Sequence, residues 1–204
     1  MSFKKIHPIL QENLLNMGLK SPNQFQKELI SKIKAGTGFF GIGPAGSGKT
    51  TAMIIGVIQK LNAAAFEDSP RALIFVKDKE SALELAQKFR EFAHRTDLRV
   101  YCAYEEHNIE LQREEIYLGT DVVIATPKRL AKLFYLNGIH LGQLQMFIVE
   151  DAEFLSKASD YSDVIRIPES MERCQYIVLA EEWDNRMDRM ANSFMYNAVT
   201  ITEN

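Results

Sequence analysis

Short apolar runs and helically spaced apolar positions alternate along this chain. The runs Phe39 to Ile42, Arg71 to Val76, Arg99 to Tyr104, Asp121 to Ala125, Leu144 to Val149 and Gln175 to Leu179 are rich in β-branched and aromatic residues, and each predicts a strand. Several show little polar alternation, as strands do when both faces of a parallel sheet are covered. Between them, residues 79–93, 108–118, 128–136 and 183–195 predict helices. In the first of these, Ala82, Leu83, Leu85, Ala86 and Phe89 favour one side. Ahead of the first strand, Ile6, Ile9, Leu10, Leu14, Leu15 and Met17 predict a helix that tolerates Pro8 in its first turn. Gly18 and Pro22 interrupt it, and a second helix from Asn23 carries Phe25, Leu29, Ile30 and Ile33 to a stop at Gly36. Residues 151–166 read as short helix mixed with loop, Ala198 to Ile201 as a final strand, and 62–70 as the clearest flexible loop. The predicted class is α/β, three layers around a mostly parallel central sheet, with a helical segment over 1–36 and the sheet domain over 37–204.

One junction between a strand and a helix carries chemistry. Gly43-Pro44-Ala45-Gly46-Ser47-Gly48-Lys49-Thr50 fits G-x-x-x-x-G-K-[ST], between the run ending at Ile42 and the helical Thr51-Ala52-Met53-Ile54-Ile55. Glycines let such a loop curl its N–H groups inward, and the helix adds the positive end of its dipole, which together cradle phosphate oxygens. Gly46, Ser47 and Gly48 would line the cradle, Lys49 would meet the β- and γ-phosphates, and the Thr50 hydroxyl would hold Mg²⁺. The expected ligands are therefore a nucleoside triphosphate and Mg²⁺.

Composition narrows the class further. At 204 residues, 46% hydrophobic and 25% charged, the chain suits one soluble domain with a full core. No apolar run is long enough to span a bilayer, and Met1-Ser2-Phe3-Lys4-Lys5 leads into Pro8 and polar residues rather than a signal segment; a cytoplasmic location with no membrane partner is expected. Lys plus Arg total 24 against 27 for Asp plus Glu, a net charge of −3, which counts against strong independent nucleic-acid affinity while permitting a local basic path. Cys102 and Cys174 make no ligand pattern and read as buried thiols.

A second cluster completes the nucleotide chemistry. Phe147-Ile148-Val149 ends in Glu150-Asp151-Ala152-Glu153, an apolar strand delivering carboxylates to the edge where a parallel sheet binds ligands. A carboxylate there can hold Mg²⁺ through its water shell while a neighbour orients and deprotonates the attacking water. The same residues would also serve as an acidic helix start.

With these motifs in place the chain resembles the first of the two RecA-like domains of DEAD-box ATP-dependent RNA helicases, from about Phe3 to Val199. The family's Asp-Glu-Ala-Asp stands here as Glu150-Asp151-Ala152-Glu153, so the resemblance gives Glu150 the Mg²⁺ role and Asp151 the role of activating water. Asp151 is one methylene shorter than the usual glutamate, and a placement error of about 1 Å can cost roughly a hundredfold in rate. Gly18-Leu19-Lys20-Ser21-Pro22-Asn23-Gln24-Phe25-Gln26 resembles the adenine-reading segment. Gln26 offers the donor and acceptor that match adenine N6 and N7, with Phe3 packing on the other side of the base.

The resemblance also implies RNA as partner, single-stranded or duplex, through backbone contacts. Leu118 to Leu130 looks like the strand leading into Thr-Pro-Gly-Arg, with Lys128 in place of glycine. Thr126 and Arg129 would then meet phosphates, although Pro127 opening a helix explains part of the motif. Lys77-Asp78-Lys79-Glu80-Ser81 replaces Pro-Thr-Arg-Glu-Leu, leaving Lys77 and Lys79 to meet phosphates. No Gly-Gly pair stands between 100 and 118, where the acidic Tyr104-Glu105-Glu106 lies instead.

After Leu179 the family's Ser-Ala-Thr, which links the acidic motif to duplex separation, is replaced by Ala180-Glu181-Glu182. That substitution implies poor coupling, unless Glu182 supplies another link. A second RecA-like domain, in the same parent chain, is expected to bring the arginine fingers and half of the RNA cleft. The expected function is ATP binding and hydrolysis as the first half of an RNA-dependent ATPase and helicase. The alternatives are a nucleotide-gated binding domain with little turnover, and a DNA-directed ATPase of the same superfamily.

Overall fold

The computed structural model of the chain describes residues 3, 6–168, 171 and 174–203. Its centre is a seven-stranded sheet in the order β3-β4-β2-β5-β6-β1-β7, built from β1 (Phe39–Ile42), β2 (Ala72–Phe75), β3 (Val100–Ala103), β4 (Val122–Ala125), β5 (Met146–Val149), β6 (Gln175–Ala180) and β7 (Val199–Thr202). Every neighbouring pair is parallel, so the loops that follow the strands share one edge.

Side chains alternate faces along each strand, as the pleat requires. Phe39, Ile74, Val122, Ile124, Ile148, Ile177 and Leu179 point into one core. Its other wall is α1 (Pro8–Asn16), α2 (Gln24–Ala35), α3 (Lys49–Lys60) and α4 (Lys79–Phe92). Phe40, Leu73, Phe75, Val123, Phe147, Val149 and Val178 point into the second core. There they meet α5 (Ile109–Tyr117), α6 (Pro127–Tyr135), α7 (Ala158–Ile165) and α8 (Asn185–Ala191). Burial on both faces is why these strands lack polar alternation, and it makes the three-layer α/β expectation the observed architecture.

Two packing features set up the site. Gly56 lets α2 lie close on α3, since a Cβ there would stand 2.5 Å from Ile33 Cδ1. The start of α2 is thereby brought against the loop before α3. The second feature corrects the expectation that 62–70 is a flexible loop. Asp121, fully buried, accepts from Arg71 Nη2 at 2.7 Å and Arg99 Nε at 2.9 Å. It also accepts from the Phe66 N–H at 3.0 Å. The same arginines donate to the carbonyls of Ala64 and Glu67. A polar loop thus gains its order from a buried charge cluster distant in sequence.

Candidate functional site

The loop from Gly43 to Thr50 leaves the end of β1 and folds back on itself. Gly46 and Gly48 adopt φ of 81° and 91°, a left-handed backbone that glycine takes without a Cβ penalty. Ser47 and Lys49 are buried. The Lys49 ammonium donates to the Gly43 carbonyl and, at 3.1 Å, to the Pro44 carbonyl, which holds the rim of the cradle together. Ser47 Oγ is buried without a hydrogen-bond partner. A cleft of about 340 Å³ opens here, lined by residues 45–51 together with Lys88, Asp151 and Glu181.

Glu150 stands at the end of β5, two strands from β1 in the sheet. Its Oε1 accepts from the Thr50 hydroxyl, joining the two motifs across 100 residues of sequence. Its Oε2 is buried without a partner. Burial pushes the carboxyl up to about 7, with the Thr50 hydroxyl opposing and the neighbouring Asp151 adding to the rise. An orphaned buried carboxylate oxygen beside a hydroxyl suits a hard cation with oxygen ligands, so Mg²⁺ fits Thr50 and Glu150. Among the described residues no group of three or more His, Cys, Asp and Glu is gathered as a ligand set.

Asp151 follows in a left-handed conformation, φ 48° and ψ 62°. Asp and Asn enter that region more readily than other residues with a Cβ, which gives a local reason for the shorter acid. Its carboxyl is held above the usual range, first by burial and against the pull of Lys49. After a 3₁₀ turn begins at Ala152, the Glu153 carboxylate accepts from the backbone N–H of Glu181 at 2.6 Å. Arg186 donates to the Glu153 carbonyl at 3.3 Å. The acidic motif and the segment after β6 are therefore joined without a hydroxyl. The link comes from Glu153 to a main-chain amide, a contact that side-chain chemistry at 180–182 could not reveal.

Gln26 lies beside the cradle. Asn23 and Gln26 form a reciprocal capping box at the start of α2, with Asn23 N donating to Gln26 Oε1 at 3.0 Å and Gln26 N to Asn23 Oδ1 at 2.7 Å. Gln26 Nε2 donates to the Gly48 carbonyl at 3.3 Å, and Asn23 Nδ2 to the Ser47 carbonyl at 3.1 Å. The sequence reading overlooked Asn23, although Asn-x-x-Gln ahead of an apolar run is a cap signature. Phe3 packs into the core of the α1–α4 face and is 7% exposed.

The residues expected at RNA follow β2 and β4. Lys77 lines a smaller cleft of about 160 Å³ together with Thr50, Glu150, Asp151, Glu84 and Lys88, on the side of the acids. Lys79 stands 5.4 Å from the Tyr104 ring centre. Thr126 and Arg129, only 4% and 7% exposed, are turned inward. Thr126 Oγ1 donates to Glu105 Oε2 at 2.6 Å, and Arg129 to the carbonyls of Glu105 and, at 3.1 Å, His107. The structure brings Lys79, Thr126 and Arg129 together around residues 104–107 and separates Lys77 from them. Lys88 was missed because it lies on α4, outside any motif. Cys102 and Cys174 are free, half-buried thiols, raised by burial to about 11 and about 12. A larger cleft, about 730 Å³, lies between α5 and residues 68–70 and 137–140, at the opposite sheet edge from these groups.

Comparisons with known proteins agree with this geometry. The sequence profile described as DEAD/DEAH box helicase matches residues 23–180. The ATP-dependent RNA helicase dbp3 of Neosartorya fischeri is 29% identical, the match covering 98% of this chain and 40% of that protein. The ATP-dependent RNA helicase DeaD of Mycobacterium tuberculosis is 24% identical over 97% of this chain and 35% of its own. The chain thus spans less than half the length of these relatives. The crystal structure of a DEAD box protein from Methanococcus jannaschii superposes with a TM-score of 0.91 at 18% identity, over all of this chain and 56% of that one. The profile covers most of the sequence and the sheet carries its motifs in place: the chain belongs to the DEAD/DEAH box helicase family, as its N-terminal RecA-like domain.

Proposed function

We propose that this domain binds ATP with Mg²⁺ and hydrolyses it once a second RecA-like domain and RNA complete the site. The observation that carries the reading is the Thr50–Glu150 contact, which leaves one buried carboxylate oxygen free beside the phosphate cradle. The main-chain N–H groups of residues 46–48 and the Lys49 ammonium receive the phosphates. Thr50 and Glu150 hold Mg²⁺, which when bound neutralises charge on the β- and γ-phosphate oxygens. Asp151 accepts the proton of the attacking water. Gln26 reads adenine from the segment over 1–36, whereas Phe3, expected on the other side of the base, is packed into the core. Lys79, Thr126 and Arg129 form the RNA side, by contacts to the backbone rather than the bases, with Lys77 apart from them toward the acids. The arginines that complete phosphoryl transfer come from the partner domain, a contribution of roughly 10³ to 10⁵ in related enzymes.

No helix among the described residues is long and apolar enough to cross a membrane, and we place the protein in the cytoplasm. The experiment is phosphate release from ATP, with and without single-stranded RNA, by the protein with its second RecA-like domain present. RNA-stimulated release that Asp151→Asn suppresses, while ATP binding persists, supports hydrolysis with Asp151 as base. Bound ATP without release supports the second reading, a nucleotide-gated binding domain, which the shortened and left-handed Asp151 favours.

A further inference from the structure

Two clefts meet at the sheet edge, one along the phosphate loop and one between α3 and α4. Thr50, Asp151 and Lys88 line both. Of the three, only Lys88 is a cation. Lys49 lines the first cleft and Lys77 the second, so Lys88 is the positive group common to the two.

Its present partner holds it loosely. Lys88 Nζ lies 2.7 Å from Glu84 Oε1, one helical turn away, with the two side chains 45% and 69% exposed. Solvated pairs of this kind are weak and screened by salt, and the lysine stem carries freely rotating donors over a wide arc. Lys49, by contrast, is buried and bonded to the carbonyls of Gly43 and Pro44.

We infer that Lys88 is a second phosphate-binding cation of this domain, reaching from α4 to the terminal phosphate of a nucleoside triphosphate. A diphosphate is held by the loop amides and the α3 terminus. The third phosphate extends past Thr50 toward Asp151, where the two clefts join and Lys88 stands. The side chain therefore discriminates triphosphate from diphosphate and supplies positive charge at the reacting phosphoryl group from within the domain. This inference rests on the ATP reading above.

The test is calorimetric titration of the 204-residue chain with ATP and with ADP, both with Mg²⁺. Lys88→Ala is expected to weaken ATP about tenfold, the scale of one charge-assisted contact, and to leave ADP unchanged. Lys88→Arg is expected to restore ATP affinity. Thermal melting shows whether the variants remain folded, as expected for an exposed position. Equal loss for both nucleotides, or no loss for either, overturns the assignment while the Lys49→Ala control still abolishes binding. If Lys49→Ala binds both nucleotides as the native chain does, the ATP reading itself fails and takes the inference with it.

Discussion

Thr126 Oγ1 donates a 2.6 Å hydrogen bond to the carboxylate of Glu105. Thr126 is the N-cap of α6, yet its side chain caps no N–H of its own helix; it is committed to a carboxylate from the loop after β3. Arg129 clamps the same loop through the carbonyls of Glu105 and His107. A carboxylate thus sits where the proposed RNA role needs a phosphate oxygen, and the two anions compete. A site open a tenth of the time binds about tenfold more weakly than one always open. Glu105→Ala should therefore raise affinity for single-stranded RNA by about that factor, read by fluorescence anisotropy at fixed salt. Glu106→Ala removes the same charge from the neighbouring position and should do less. Equal gains from both would reduce the effect to net charge.

Gln26 serves the fold before it serves a ligand. Its amide oxygen closes the α2 cap and its nitrogen ties that cap to Gly48. Gln26→Ala removes the reciprocal half of the box and its tie to Gly48 but leaves the Asn23 cap, and at about 1 kcal/mol or less should lower the melting temperature by about 2–4 °C at most in a domain of this size. Under the adenine role the same variant should also lose its preference for ATP over GTP. Lower stability with intact discrimination would leave Gln26 as a cap alone.

The two motif-bearing junctions were legible because local chemistry dictates them. Gly46 and Gly48 need positive φ, and the run ending at Val149 needs a parallel sheet to cover it. The strands were legible for the same reason, apolar on both faces. What the sequence did not show depends on contacts between distant elements. The anchoring of 62–70 on Asp121, the turning of Thr126 toward Glu105 and the link from Glu153 to the Glu181 amide each join segments whose relative placement only the sheet order fixes. Lys88 belongs to the same group, since helical periodicity marks it only as a polar position.

Asp121 makes stability depend on pH. Burial alone would raise its carboxyl, but hydrogen bonds from Arg99, then from Arg71 and the Phe66 amide, bring it below the ordinary range. A carboxyl depressed on folding stabilises the native state above its unfolded value, about 3.9, and that contribution is lost as pH falls through the lower folded value. Melting temperature should therefore drop as acid is added below about pH 4. Asp121→Ala leaves the buried Arg71 with main-chain carbonyls but no carboxylate, and should cost about 3–5 kcal/mol, measured by urea unfolding at neutral pH. A loss below 1 kcal/mol would mean that the cluster contributes little beyond the 62–70 anchor.

The most direct test of the account is calorimetric binding of ATP to this chain with Mg²⁺ present and with the metal chelated, for the native sequence and for Lys49→Ala. The account predicts saturable binding of one ATP, weakened by chelation because Glu150 then lacks the cation its free oxygen requires, and lost in Lys49→Ala. Equal ATP affinity in the native chain and in Lys49→Ala, indifferent to Mg²⁺, would contradict it.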